Sequence, residues 1–439
     1  MKRIFRLSFL AAIFGIAIAD VANAQEEANI QQATEQRQQS FVERYNLPLF
    51  DCELKVVMGI KKITIIVPDD STVVWVNAKR FEENASRGGL EVTVKTESQL
   101  QKSDFDSNLW IMGTVADYLN WDRFGIPVEK LSTGFKIGDF SFKDPLHGFS
   151  YVSSPGTFPV RLVFSGNTIE AYTQIDNMPS YGFEFVVMKD AVPELIGNGS
   201  HITNLNAVRK SHYTPIESKY YVFMISKNLN QEELEKINDE EIKKYDNHVE
   251  AFVQKMELNL PEKKVKTFIH ATQEEIKYMS GWFGTLCENN NMNGFVTGEE
   301  IQSLKFSGFI EHEVNHHLFN RQVHKMAPTF LSEGIQKWYE YTVSTEEKEK
   351  GFQRAREFAD EDLTKVICGN ANFFQGDKYY LISGIFIDYL LDIYGLNKFK
   401  KLFRNETRDI LSGFENTYDK PLPVILEEYK KWLLTKSNQ

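Results

Sequence analysis

His312-Glu313-Val314-Asn315-His316 is the stretch of this chain whose residue types and spacing could do chemistry. On a helix, residues four apart stack on one face, so both imidazoles could reach a single metal ion. Glu313, between them, would reach the side of that ion where a water would sit. Positions 314 and 315 are uncharged, Leu318 and Phe319 are apolar, and no proline interrupts. A buried metal helix needs those properties, because a stray charge beside the site would need a partner of its own. The competing reading is a pair of core histidines with ordinary hydrogen-bond partners.

A second segment weighs against that reading. Phe330-Leu331-Ser332-Glu333-Gly334-Ile335 follows Pro328, which suits the first turn of a new helix. Leu331, Ile335, Trp338 and Tyr341 form an apolar stripe at helical spacing. Glu333 lies off that stripe with Lys337 and Glu340, so periodicity exposes it unless another element covers that side. His-Glu-x-x-His followed by Leu-Ser-Glu-Gly resembles the gluzincin metallopeptidases, whose third zinc ligand is the Glu of a W-L-x-E-G helix. A third segment, Tyr379 to Leu391, resembles the Y-x-x-A-G-S-F-x-x-Y/F-L helix of many members and stops at Tyr394-Gly395. The resemblance spans about residues 216–439 and is specific only in these three segments.

The resemblance implies His312, His316 and Glu333 as ligands of one Zn2+, with Glu313 as general base. It implies a transition-state tyrosine at Tyr380, with Tyr379 as the rival. Two imidazoles and one carboxylate leave zinc an open position for water, and zinc lowers the pKa of that water toward about 7. Family members bind the substrate backbone on an edge strand before the metal helix, and Gly294–Thr297 is the candidate by position. The chain also departs from the family. Glu333 follows His316 by 17 residues, slightly fewer than in the thermolysin-like and aminopeptidase branches. Ser332 stands where aminopeptidases commonly carry Asn. Lys337 occupies the place of the thermolysin-like Asp that orients a zinc histidine, so the orienting carboxylate must come from elsewhere. No Gly-x-Met-Glu-Asn segment precedes the site, which favours an endopeptidase over an aminopeptidase.

The rest of the chain must position and deliver this site. Lys2, Arg3 and Arg6, the apolar run Leu7 to Ala19, and Ala22-Asn23-Ala24 make the three-part plan of a signal peptide over 1–24. Export to a periplasmic or extracellular location is the expectation, with no transmembrane segment after signal removal. Residues 25–50 read as a leader, loose or a solvated helix over its Gln- and Glu-rich part. Residues 51–215 read as a small α/β domain of unassigned role, with strands expected near 62–67, 90–94, 109–113, 148–152, 160–164 and 183–188. A helix is expected after the third of these, and the Asn-, Gly- and Ser-containing stretch 190–215 as a boundary. Residues 216–439 read as the mainly helical, gluzincin-like domain, with one long charged helix over 231–256. The fold class expected is therefore α+β.

Composition sets limits. Over 439 residues, 42% hydrophobic and 13% aromatic side chains suffice for large cores, so the chain is not a disordered one. A net charge of −11 argues against nucleic acid as a partner and leaves a peptide or protein substrate. Cys52, Cys287 and Cys368 permit one disulfide at most and exclude a four-cysteine zinc site. The function expected is a zinc-dependent metallopeptidase. The alternative is an inactive metal-binding envelope protein whose α/β domain binds a glycan or protein partner.

Overall fold

The computed structural model describes residues 41–48, 60–87, 90–153, 158–177, 183–190, 192–199, 201–280, 293–297, 299–323, 329–368, 378–404 and 410–436. The signal segment, residues 25–40 of the leader, Cys52, Cys287 and His324 lie outside these. Helices and sheets are both abundant, sheet-rich toward the N-terminus and helical toward the C-terminus, so the class is α+β.

β1 (Lys62–Val67) is a β-branched run buried from Ile63 onward. It pairs in parallel with both β2 (Glu91–Thr96) and β3 (Leu109–Thr114), and the helix Thr72–Arg87 makes the crossover from β1 to β2 that a parallel pair requires. After β3 the expected helix is only a short 3-10 turn, Trp121–Phe124. Asn120, Gly125 and Pro127 break that stretch, while Trp121 and Phe124 are buried. β4 (Glu129–Lys130), β5 (Phe135–Ile137) and β6 (Phe140–Phe142) form a separate small meander. β7 (His147–Val152), β8 (Arg161–Gly166), β9 (Phe185–Lys189), β10 (Val192–Asn198) and β11 (His201–Asn204) complete an eight-stranded mixed sheet in the order β11-β10-β9-β7-β8-β3-β1-β2.

The stretch expected as a boundary is thus ordered. It supplies β10, β11 and the helix Leu205–His212, which runs directly into β12 (Tyr213–Glu217) of a second sheet. β10 buries the consecutive Leu195, Ile196 and Gly197 and pairs with β9 and β11 despite the loop-like composition. β13 (Tyr221–Ser226), β14 (Val265–His270), β15 (Gly294–Thr297) and β16 (Glu300–Leu304) complete this sheet in the order β12-β13-β14-β16-β15. β13, β14 and β16 run parallel, and β12 and β15 are antiparallel edges. The long helix expected over 231–256 is two helices, Gln231–Glu235 and Asp239–Lys255. Asn230 and Asn238 each cap one by accepting from a backbone N–H three residues on, and at Asn238 this satisfies an N–H that a continuous helix would bond internally.

The two sheets share a core. Phe268, Tyr278 and Met279 from the second unit pack with Val208, Tyr172 and Ile196 from the first. The end of the leader belongs there too. Phe41 and Leu47 are both 3% exposed, and Pro48 O accepts from the Tyr278 hydroxyl at 3.1 Å, so residues 41–48 are docked rather than loose.

The C-terminal helices stack beyond the second sheet. Lys378–Arg404 is long and apolar enough to cross a membrane by length and composition alone. Here Ile382, Ile385, Phe386, Ile387 and Leu390 are buried in the protein core, and Gly395 at φ +80° breaks its helical path. Helix Thr329–Val343 packs tightly on it. A side chain at Gly334 would sit 2.8 Å from Ile387 Cγ1, and one at Gly384 would sit 2.6 Å from Tyr341 Cε2. Neither helix could approach so closely with larger residues there.

Candidate metal centre

Helix Phe309–Val323 turns Ile310, Val314 and Leu318 into the core at helical spacing. That leaves His312 and His316 on another face, one above the other. The helix is fastened from behind by Asn315, 3% exposed, whose Oδ1 lies 2.9 Å from His248 Nε2. His248 carries no spacing signal in the sequence. Its role became visible only when Asp239–Lys255 was brought alongside.

The structure brings His312, His316 and Glu333 together. His312 Nε2 lies 3.1 Å from His316 Nε2 and 3.1 Å from Glu333 Oε2, and His316 Nε2 lies 3.5 Å from Glu333 Oε1. Glu333 reaches them because Gly334, next to it, lets its helix settle against Ile387. The carboxylate that periodicity would expose is 16% exposed, covered by the metal helix. Burial alone would raise the Glu333 carboxyl. The charge of His316 and hydrogen bonds from both imidazoles outweigh it and hold the group well below the ordinary carboxylate range.

The three donor atoms themselves define what the cluster can hold. Zinc takes imidazole and carboxylate at about 2.0–2.2 Å, and a tetrahedron of that size has edges of about 3.3–3.5 Å. The observed separations are close to those edges. Two Nε2 lone pairs facing each other are repulsive unless a proton or a cation lies between them. Both points fit one zinc ion held by three protein ligands, with one position left open.

Glu313 is 7% exposed on the same helix. Burial raises its carboxyl to about 7, with the nearby Glu333 charge adding to the rise and His312 opposing it. Above it runs β15. A Cβ on Gly294 would lie 3.5 Å from Glu313 Cγ and 3.6 Å from Phe309 Cβ. The strand picked out by position is therefore an edge strand lying directly against Glu313. The two tyrosines separate. Tyr379 is buried and its hydroxyl donates to Glu361 at 2.6 Å, whereas Tyr380 is half-buried in the first turn of its helix. His317 is buried, and burial lowers its imidazole to about 4. Cys368 is buried as well.

One contact was missed. Ser332 Oγ lies 3.2 Å from His316 Nδ1, the nitrogen turned away from the other donors. A serine beside a ligand glutamate gives no sequence signal of such a role. Comparison with known proteins brings no match: no family model, no curated protein and no solved structure aligns with the chain.

Proposed function

We propose that this chain is an exported, periplasmic or extracellular zinc-dependent peptidase that cuts within peptide or protein substrates. The observation that carries the reading is the convergence of His312, His316 and Glu333 beside the buried carboxylate of Glu313. The likeness of the three segments to gluzincins supports it. A bound zinc ion would supply the positive charge that makes water a nucleophile near neutral pH and polarises the substrate carbonyl.

The protein's own groups do the rest. His312 and His316, through their Nε2 atoms, and Glu333, kept ionised, form the ligand set. A substrate segment adds to the open edge of β15, and Gly294 leaves its backbone room beside Glu313. Glu313 accepts the proton of the attacking water and hands it to the leaving amine, so one carboxylate serves as base and then as acid. The Tyr380 hydroxyl donates to the oxygen that becomes negative. Tyr379, committed to Glu361, is the weaker candidate for that role.

Cleavage of a diverse peptide pool, read by mass spectrometry, tests the reading, with Glu313→Gln in parallel. Internal cuts are expected from the wild type. The variant should keep zinc and lose about 10²–10⁴-fold in rate. Equal cutting by Glu313→Gln would remove Glu313 from the chemistry, and no cutting by zinc-loaded wild type would count against a peptidase of broad range.

A further inference from the structure

We propose that the Ser332 hydroxyl is the positioning residue for His316, selecting its tautomer and ring orientation in place of a carboxylate. The inference rests on His312, His316 and Glu333 being a zinc site. A neutral imidazole carries one proton. If Nε2 of His316 offers its lone pair to the site, that proton must sit on Nδ1, and Nδ1–H can then donate to Ser332 Oγ at 3.2 Å. The opposite nitrogen, Nε2, is the one that faces His312 and Glu333, at 3.1 and 3.5 Å.

The placement is stiff. Ser332 and Glu333 are consecutive, so their side chains leave the helix about 100° apart and hold His316 from two directions. Gly334 fixes the same turn against Ile387, and a side chain there would also lie 3.0 Å from Ser383 O. Lys337, the residue standing where an orienting carboxylate was sought, is instead turned to Glu340 and to Glu347, the latter at 3.7 Å. A hydroxyl fixes the imidazole without adding a further carboxylate to Glu333 and Glu313, so more of a bound ion's positive charge would be left for water and substrate.

The test compares wild type, Ser332→Ala and Ser332→Thr by zinc affinity in chelator competition and by the visible spectrum of the cobalt-substituted protein. Thermal melting reports folding separately. Ser332→Ala should melt like the wild type, bind zinc about 10–100-fold more weakly and show an altered cobalt spectrum. Ser332→Thr, which keeps the hydroxyl, should restore both. A wild type that binds zinc while Ser332→Ala matches it in affinity and spectrum would overturn the positioning role alone. A folded Ser332→Thr as weak as Ser332→Ala would do the same. If the wild type takes up neither metal, the zinc-site reading fails, and this inference with it.

Discussion

Two clusters in this molecule are built from the same residue types, two histidines and a glutamate, and only one of them turns its donor atoms toward a common point. In the seam between the sheets, His212 Nε2 lies 3.1 Å from Glu275 Oε1, the same separation as His312 Nε2 from Glu333 Oε2. In the seam every imidazole nitrogen is answered. His212 meets the Tyr45 hydroxyl and Ser226 Oγ, each at 3.0 Å, and His270 meets the Tyr213 hydroxyl and Gln302 Oε1, each at 2.8 Å. Glu275 accepts from Asn228 Nδ2 at 2.7 Å and from the Ala271 N–H at 2.9 Å. At the other cluster the donors point at one another, and among the described residues it is the one His/Cys/Asp/Glu group placed to hold a metal. Convergent lone pairs, rather than residue composition, separate a metal centre from a closed polar network.

The sharpest way to break this contrast is to remove the seam carboxylate. Glu275→Ala removes the carboxylate that the fully buried His212, the Asn228 amide and the Ala271 N–H share. Denaturant unfolding should show a loss of about 3–5 kcal/mol with zinc affinity unchanged. A stable variant that loses zinc instead would merge the two clusters into one functional unit.

Acid is a gentler probe of the seam. Burial pushes His270 down to about 4, with its pairing to Gln302 and the charge of Glu275 opposing the fall. An unfolded histidine titrates near about 6.5, so between those pH values the unfolded chain binds the extra proton. Stability should therefore fall as pH drops from about 6.5 to about 4, by up to about 3 kcal/mol. At Glu275, burial raises the carboxyl, but the His212 hydrogen bond and the charges of both histidines win and lower it. Its contribution is present above the unfolded value of about 4.3 and is lost below it, extending the loss to lower pH. Urea midpoints at pH 7 and 4.5 check this, and equal midpoints would contradict it.

The smallest effects distinguish Tyr379 from Tyr380. Tyr379→Phe removes a hydroxyl from Glu361 and should cost about 1 kcal/mol of stability with little change in turnover. Tyr380→Phe should do the reverse, slowing peptide cleavage about tenfold or more while melting is unchanged. The opposite pattern would exchange their roles.

Much of this architecture was legible beforehand. β1, β3 and β14 declared themselves by dense β-branched and apolar runs, and the helix stop at Gly395 by its residue type. The pairing of His312 with His316 was legible because helical spacing alone puts them on one face. Glu333 was not, since its burial comes from another helix and only a family likeness pointed to it. The strands Val192–Asn198 and His201–Asn204 were hidden by Pro193, Glu194, Gly197 and Asn198, turn-prone or polar residues that weaken a strand signal. Asn238 was hidden because a cap inside a charged, helix-patterned segment leaves the periodicity unchanged, and His248 and Ser332 because each meets its partner, Asn315 or His316, only through tertiary contact.

Zinc stoichiometry of the purified protein, measured by elemental analysis for wild type, Glu333→Ala and Glu275→Ala, tests the contrast most directly. One zinc per chain is expected in the wild type and in Glu275→Ala, and none held by Glu333→Ala. A wild type without zinc affinity, or a Glu333→Ala variant that keeps its zinc, would contradict the assignment of this cluster as a metal centre.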